Sequence, residues 1–233
     1  MKLYAGTSGY SYKEWKGPFY PEKMKNDELL SFYSQKLSAV EINNTFYRMP
    51  KTSVLEGWAE QVPKNFRFVI KATRRITHFK RLNDTEDIID YLYDATSVLE
   101  KRLGVIFYQL PPNFKKDMDK LTAFLAILPD DVHAAFEFRH ESWFDDDVYQ
   151  ALKEKNCALC LADADGDLDV PLVSTAKWGY LRLRKPSYRK PDLEKWLKWI
   201  DEQKWKETYV FFKHEEAGAG PKMAGKFLDL AGK

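Results

Sequence analysis

Gly104-Val105-Ile106-Phe107-Tyr108-Gln109-Leu110 and His133-Ala134-Ala135-Phe136-Glu137-Phe138 are two short apolar runs, and the chain between them is of a different kind. There Met118, Leu121, Leu125 and Leu128 recur every three or four residues, as one face of a helix does. Strands apolar on both faces, joined through an amphipathic helix, belong to a parallel sheet covered on both sides. The same alternation runs outward in both directions. Strands are expected over Leu3–Gly6, Ala39–Ile42, Phe66–Lys71, Cys157–Asp163, Gly179–Leu183 and Thr208–Phe212 as well, which makes eight. Helical stripes lie between most of them. Leu29, Leu30, Tyr33 and Leu37 form one, Val148 and Leu152 another, and Leu193, Trp196, Leu197 and Ile200 a third. Met223, Ala224, Phe227 and Leu228 close the chain. The longest stripe, Ile88, Leu92, Ala95, Leu99 and Leu103, predicts a single helix capped by Asn83, Asp84 or Thr85.

Eight βα units in 233 residues fit a closed TIM-like (β/α)8 barrel, whose usual length is about 250. An open doubly wound sheet would carry an early G-x-G-x-x-G turn, and this chain has none. One unit is irregular: Ala164–Ala176, between the sixth and seventh strands, holds Asp165-Gly166 and Pro171 and no helical period. No repeat or low-complexity linker interrupts the chain, so residues 1–233 read as one domain.

Composition removes several classes. With 44% hydrophobic residues, 7 Trp, 13 Tyr and 15 Phe, the chain is not a disordered one. A net charge of +2 argues against a general polyanion binder and leaves room for a local basic patch. No run approaches the roughly 18 apolar residues of a membrane span, and no apolar signal region follows Met1. A cytoplasmic location is the expectation. With no coiled-coil heptad, so is a monomer. Cys157 and Cys160 form a C-x-x-C inside an apolar strand, where buried structural thiols are expected rather than a redox pair or zinc site.

Polar residues collect where the strands end. They are Thr7 and Ser8, Glu41 and Asn43, Lys71, Gln109, Glu137 and Arg139, Asp163, Arg182 and Arg184, and Lys213 and His214. Alternation puts 39/41/43, 105/107/109, 135/137/139 and 159/161/163 each on one face, ending polar. Barrel active sites occupy that end of the strands. Two loops there are basic: residues 71–81 and 182–190 each carry five Lys or Arg and no acid. Aromatic residues lie among them (Phe79, Tyr188), and the first loop adds Tyr10, Tyr12, Trp15 and Phe19. Cations beside stacking surfaces suit a phosphate-bearing ligand. A solvated basic surface and mouth salt bridges, Glu137 with Arg139 and Glu41 beside Asn43, are the plain alternative. No H-E-x-x-H spacing exists; His133 reads as a strand-start residue, and His140 and His214 remain candidate ligands. Trp178, Trp196, Trp199 and Trp205 read as helix packing.

Several motifs are familiar in combination. Gly6-Thr7-Ser8-Gly9-Tyr10-Ser11-Tyr12 with Trp15, Gly17 and Phe19-Tyr20-Pro21 is one, and Val40-Glu41-Ile42-Asn43 with Thr45-Phe46-Tyr47-Arg48 and Pro50 another. Phe68, Lys71-Ala72 and Ile76-Thr77-His78 follow, then Gln109-Leu110-Pro111-Pro112, Glu137-Phe138-Arg139-His140 with Ser142-Trp143-Phe144, and Asp163. Together they resemble the YecE-like family, domain of unknown function seventy-two, over essentially the whole chain. The resemblance implies a TIM-like barrel, an uncharacterised reaction, and a shared site of Glu41, Asn43, Thr45, Lys71, His78, Gln109, Glu137, Arg139 and Asp163. Two departures, Arg184-Lys185 where members have His-Gly and Lys213-His214-Glu215 where they have an Asn-rich end, point to a branch with a more cationic pocket.

The leading reading is an enzyme, a hydrolase or lyase, acting on a phosphorylated or otherwise anionic substrate, nucleic acid included. Glu41, Glu137 and Asp163 are its catalytic candidates. Lys71, Arg139 and Arg182 would hold the anion, Asn43 and Gln109 would orient it, and Thr45, His78, Tyr12 and Trp15 complete the binding set. A second reading is a divalent-metal phosphoester hydrolase with Glu41, Glu137, Asp163 and His140 or His214 as ligands, opposed by the repulsion of Lys71 and Arg139. A third is a non-enzymatic nucleic-acid or polyanion binder. The sequence names no cofactor.

Overall fold

All eight apolar runs form strands, because none has a solvent-facing side that an antiparallel or edge position would need. The computed structural model describes residues 1–166, 168–213 and 216–233. Its strands are β1 (Lys2–Ser8), β2 (Ala39–Ile42), β3 (Arg67–Lys71), β4 (Leu103–Gln109), β5 (His133–Glu137), β6 (Ala158–Asp163), β7 (Gly179–Leu183) and β8 (Glu207–Phe212). Each pairs in parallel with the next, and β8 closes on β1. This is the expected (β/α)8 barrel. The helices are α1 (Leu29–Ser34), α2 (Thr52–Gln61), α3 (Glu86–Thr96), α4 (Met118–Ile127), α5 (Asp146–Glu154), α6 (Lys190–Glu202) and α7 (Ala219–Leu230). No described helix is long and apolar enough to cross a membrane.

Local chemistry starts the helices where they start. The Asp117 side chain accepts the Lys120 N–H at the head of α4, Asp146 and Asp147 sit in the first turn of α5, and Pro191 lies in the first turn of α6. The long stripe is corrected. α3 ends at Thr96, a 3₁₀ turn runs Ser97–Arg102 with Glu100 at φ 49°, and Leu103 opens β4 instead of closing a helix. Thr85 precedes the first turn of α3, but its hydroxyl makes no capping bond. α2 was not foreseen, because Gly57 and two charged residues break its apolar stripe.

Between β6 and β7 the described residues contain no helix. Thr175 stitches this stretch to β6, accepting the Leu159 N–H at 2.7 Å and donating to the Cys157 carbonyl at 2.8 Å. The barrel interior below the mouth is a packed aromatic plug. Tyr4 stacks on Tyr209 at 5.0 Å, Phe107 on Tyr180 at 5.1 Å, and Trp178 on His133 at 4.3 Å. Trp178 therefore belongs to the barrel interior, whereas Trp196, Trp199 and Trp205 pack edge to face outside it. Gly6 permits the β1–β2 approach, since a Cβ there would lie 1.7 Å from the Ala39 carbonyl oxygen.

Candidate active site

The strand alternation that fills the interior also raises polar side chains at its top. Ala39, Phe107, Ala135 and Tyr180 point inward, so Glu41, Gln109, Glu137 and Arg182, two residues further on, point inward too. Arg182 lies between two carboxylates. Its Nη2 donates to Glu41 Oε1 at 2.9 Å and its Nη1 to Glu137 Oε2 at 2.6 Å, with the guanidinium 4.9 Å from the centre of the Phe107 ring. Glu41 is 0% exposed and takes three further donors: Ser8 Oγ at 2.7 Å, Asn43 Nδ2 at 3.0 Å and Tyr180 OH at 2.5 Å. Glu137 also accepts from Gln109 Nε2 at 2.7 Å.

The network is electrostatically committed. Burial alone would raise the Glu41 carboxyl, but the Arg182 charge and the bonds from Ser8, Tyr180 and Asn43 outweigh it and hold it at about 2. Burial opposes ionisation of Glu137 as well, and Arg182, Arg184 and Gln109 bring it below the ordinary value. Both are carboxylates at neutral pH. Burial and the Glu41 charge push the Tyr180 phenol up, so it remains a donor.

Lys71 stands at the end of β3, half-buried, with Nζ 2.8 Å from Gln109 Oε1 and 4.5 Å from the centre of the Phe46 ring. Burial, helped by Arg182 and Lys213 and opposed by Glu41 and Glu137, lowers it to about 8. Thr45 fixes the backbone there, donating to the carbonyls of Ile42 and Lys71 at 3.0 and 2.7 Å. His78 meets the Phe46 ring edge to face at 4.8 Å, and burial with the Lys71 and Arg139 charges moves it below 6.5. Arg184 Nη1 reaches within 3.6 Å of Glu137 Oε1, and the more exposed Arg139 within 4.0 Å.

Thus Glu41, Asn43, Thr45, Lys71, His78, Gln109, Glu137, Arg139 and Arg182 come together, and three other expected site residues do not join them as expected. Asp163 is the clearest correction. Cys160 and Ala162 pair with Tyr180 and Arg182, and directly paired residues share a face, so 158/160/162 point inward and 159/161/163 outward. Asp163 instead meets Lys185 Nζ at 2.8 Å, Tyr188 OH at 3.0 Å and Trp196 Nε1 at 3.2 Å on the helix side of the sheet. That side also holds a cavity of about 430 Å³, bounded by Asp163, Trp196 and Trp199. It is separate from the mouth network. Trp15 offers no stacking face, being 1% exposed and packed on Tyr20 and Phe19. Tyr12 lies against Trp15 and donates to the Ser8 carbonyl at 2.7 Å. Arg182 is in the site but is occupied by the two glutamates rather than open to an anion. Of the loop aromatics, Phe79 is exposed beneath Arg74, while Tyr188 is buried.

The remaining histidines and cysteines fall elsewhere. His133 starts β5 and pairs with Glu207 at 2.8 Å; His140 Nδ1 accepts the Ser142 N–H. His214 lies outside the described residues, as does Glu215. Among the described residues no three His, Cys, Asp or Glu side chains are placed to hold a metal ion. Cys157 and Cys160 are free and buried, and burial pushes the Cys157 thiol up to about 12. Tyr180, Phe107 and Phe46 were missed as site residues. Tyr180 and Phe107 read as interior strand residues, and only the shared inward parity with Arg182 and Gln109 pointed to them.

Comparison with known proteins agrees with this architecture. The chain is 24% identical to the UPF0759 protein YunF of Bacillus subtilis, over 98% of this chain and 94% of that protein. It is 33% identical to the UPF0759 protein YecE of Escherichia coli over 61% of this chain, a match spanning half of YecE. A crystal structure of a DUF72 family protein from Thermotoga maritima superposes with a TM-score of 0.88 and 25% identity, covering all of both chains. One from Enterococcus faecalis, at 18% identity and a TM-score of 0.79 with 100% of this chain and 98% of that one covered, shares the fold. The family described as "Protein of unknown function DUF72" matches residues 4–233, and the chain belongs to it.

Proposed function

We propose that the protein is an enzyme acting on a small anionic substrate, phosphorylated or carboxylated, at the C-terminal mouth of the barrel. One observation carries this reading. Two carboxylates are consumed by the buried Arg182, and around them stand Lys71, Arg184 and Arg139. Cations on a rigid, partly desolvated floor are suited to hold a negative charge and to stabilise one that develops during reaction. Glu41 and Glu137 act here as the fixed counter-charge that positions Arg182 and Gln109. Glu41 is held at about 2 and saturated with donors, and Glu137 is held below the ordinary value by Arg182, which makes both weak proton carriers. Lys71, lowered to about 8, has the value near neutrality that proton transfer favours.

Calorimetric titration with inorganic pyrophosphate tests the reading. Specific binding is expected, weakened roughly tenfold in Arg184→Ala, about the effect of one charge-assisted contact. No binding, or binding indifferent to Arg184→Ala and Arg139→Ala, overturns it. A flat response to salt separates a pocket from an extended polyanion surface, where log K falls by roughly 0.7 per single-strand phosphate neutralised.

A further inference from the structure

Lys71 is arranged in a way that holding an anion does not require. Its Nζ donates to one neutral acceptor, Gln109 Oε1. Among the described residues no carboxylate lies within ion-pair distance of it, although Glu41 and Glu137 share the mouth and are both engaged by Arg182. The Gln109 amide cannot turn, because its Nε2 donates to Glu137 Oε1 at 2.7 Å; its oxygen must face the lysine. A carboxamide oxygen accepts an N–H without offsetting an ammonium charge as a carboxylate would. A neutral Lys71 amine held this way keeps its second N–H and its lone pair directed elsewhere. The charged or titratable groups facing it are Arg182, Glu41, Glu137, Lys213 and His78.

We propose that Lys71 is an amine nucleophile that forms a Schiff base with an anionic substrate bearing an aldehyde or ketone. This deepens the anion reading and rests on it. The amine lone pair forms the C–N bond as the C=O π pair moves to oxygen. Both amine hydrogens then leave with that oxygen as water, and the imine nitrogen takes one proton from solvent to give the iminium. His78, neutral at pH 7 and on the same Phe46 ring, is placed to pass these protons. The cations Arg184 and Arg139 hold the substrate's anionic group. A lysine near 8 presents about two orders of magnitude more free amine at neutral pH than an ordinary one.

The test uses pyridoxal 5′-phosphate as a reagent, an aldehyde that carries a phosphate, with cyanoborohydride to reduce the iminium to a stable secondary amine. Peptide mapping is expected to place the label on Lys71 ahead of surface lysines, at a rate that rises with pH through about 8. Excess pyrophosphate should suppress it. Lys71→Arg should lose the label while its far-UV dichroism stays that of the native fold. In Gln109→Glu a carboxylate faces the amine, and the midpoint of the labelling profile should move up. Pyrophosphate binding with label absent from Lys71, or spread evenly over surface lysines, overturns the Schiff-base proposal and leaves the anion reading intact. Label on Lys71 without pyrophosphate binding or protection leaves a reactive amine but overturns the anion reading, and with it the anionic substrate proposed here.

Discussion

Replacing Arg182 by methionine, of similar length and no charge, is the sharpest perturbation the mouth offers. Arg182 is 3% exposed and is the cationic partner that two buried carboxylates share. Removing one member of a buried ion pair typically costs about 3–5 kcal/mol, because the remaining charge stays desolvated. The pH dependence should also change sign. In the native protein Glu41 sits at about 2 against an ordinary 4.5. A lowered carboxyl contributes stability above its unfolded value and loses it as pH falls through the folded one, here about 3 kcal/mol, lost between roughly pH 4.5 and 2. Without Arg182, burial raises both carboxyls. A raised carboxyl contributes stability below 4.5 and loses it as pH rises, so the variant should be more stable at pH 5 than at pH 8. Urea unfolding followed by far-UV dichroism at both pH values measures this. The triple variant Arg182→Met, Glu41→Gln, Glu137→Gln should recover much of the loss, since no charge is left buried. An Arg182→Met protein that loses under about 1 kcal/mol, with the same midpoint at both pH values, would refute the account of the network.

Other expectations follow from the same geometry. Tyr180→Phe removes a donor from the buried Glu41 carboxylate and should cost about 1.5–3 kcal/mol in the same unfolding assay. Gly179→Ala would set a Cβ 2.0 Å from the Trp205 ring and should destabilise by about 1–3 kcal/mol or more, with a shift in Trp emission as the ring is displaced. Cys157 and Cys160 should resist a disulfide-exchange reagent in native protein and react once urea exposes them; fast native labelling would contradict their burial. Asp163→Asn should disturb Trp196 fluorescence and leave pyrophosphate affinity unchanged; lost affinity would return Asp163 to the mouth.

Lys71, Gln109 and Glu137 were legible as site residues because each is a polar residue closing an apolar strand, and a charge inside a two-faced buried strand is tolerated only at its open end. Asp163 satisfied the same rule and misled. Cys157–Asp163 is apolar on both sides, so its own pattern leaves the inward face open. Pairing with β7 settled it, since bulky Tyr180 and Arg182 need small inward neighbours, and Cys160 and Ala162 supply them.

By itself, then, the sequence determined the eight strands, most of the helical stripes between them and the gap after β6, all of which depend on local periodicity and turn chemistry, while α2 and the end of α3 escaped it. It also determined which strand ends are polar. The tertiary structure decided what those polar groups do. Arg182 was an anion-holding candidate as a sequence position, and in the barrel it is the shared counter-ion of Glu41 and Glu137, 141 and 45 residues away. That division is physical. Which face a residue takes is a local property, but its charge state and its partners depend on what the closed sheet brings alongside it and on how much water the closure removes.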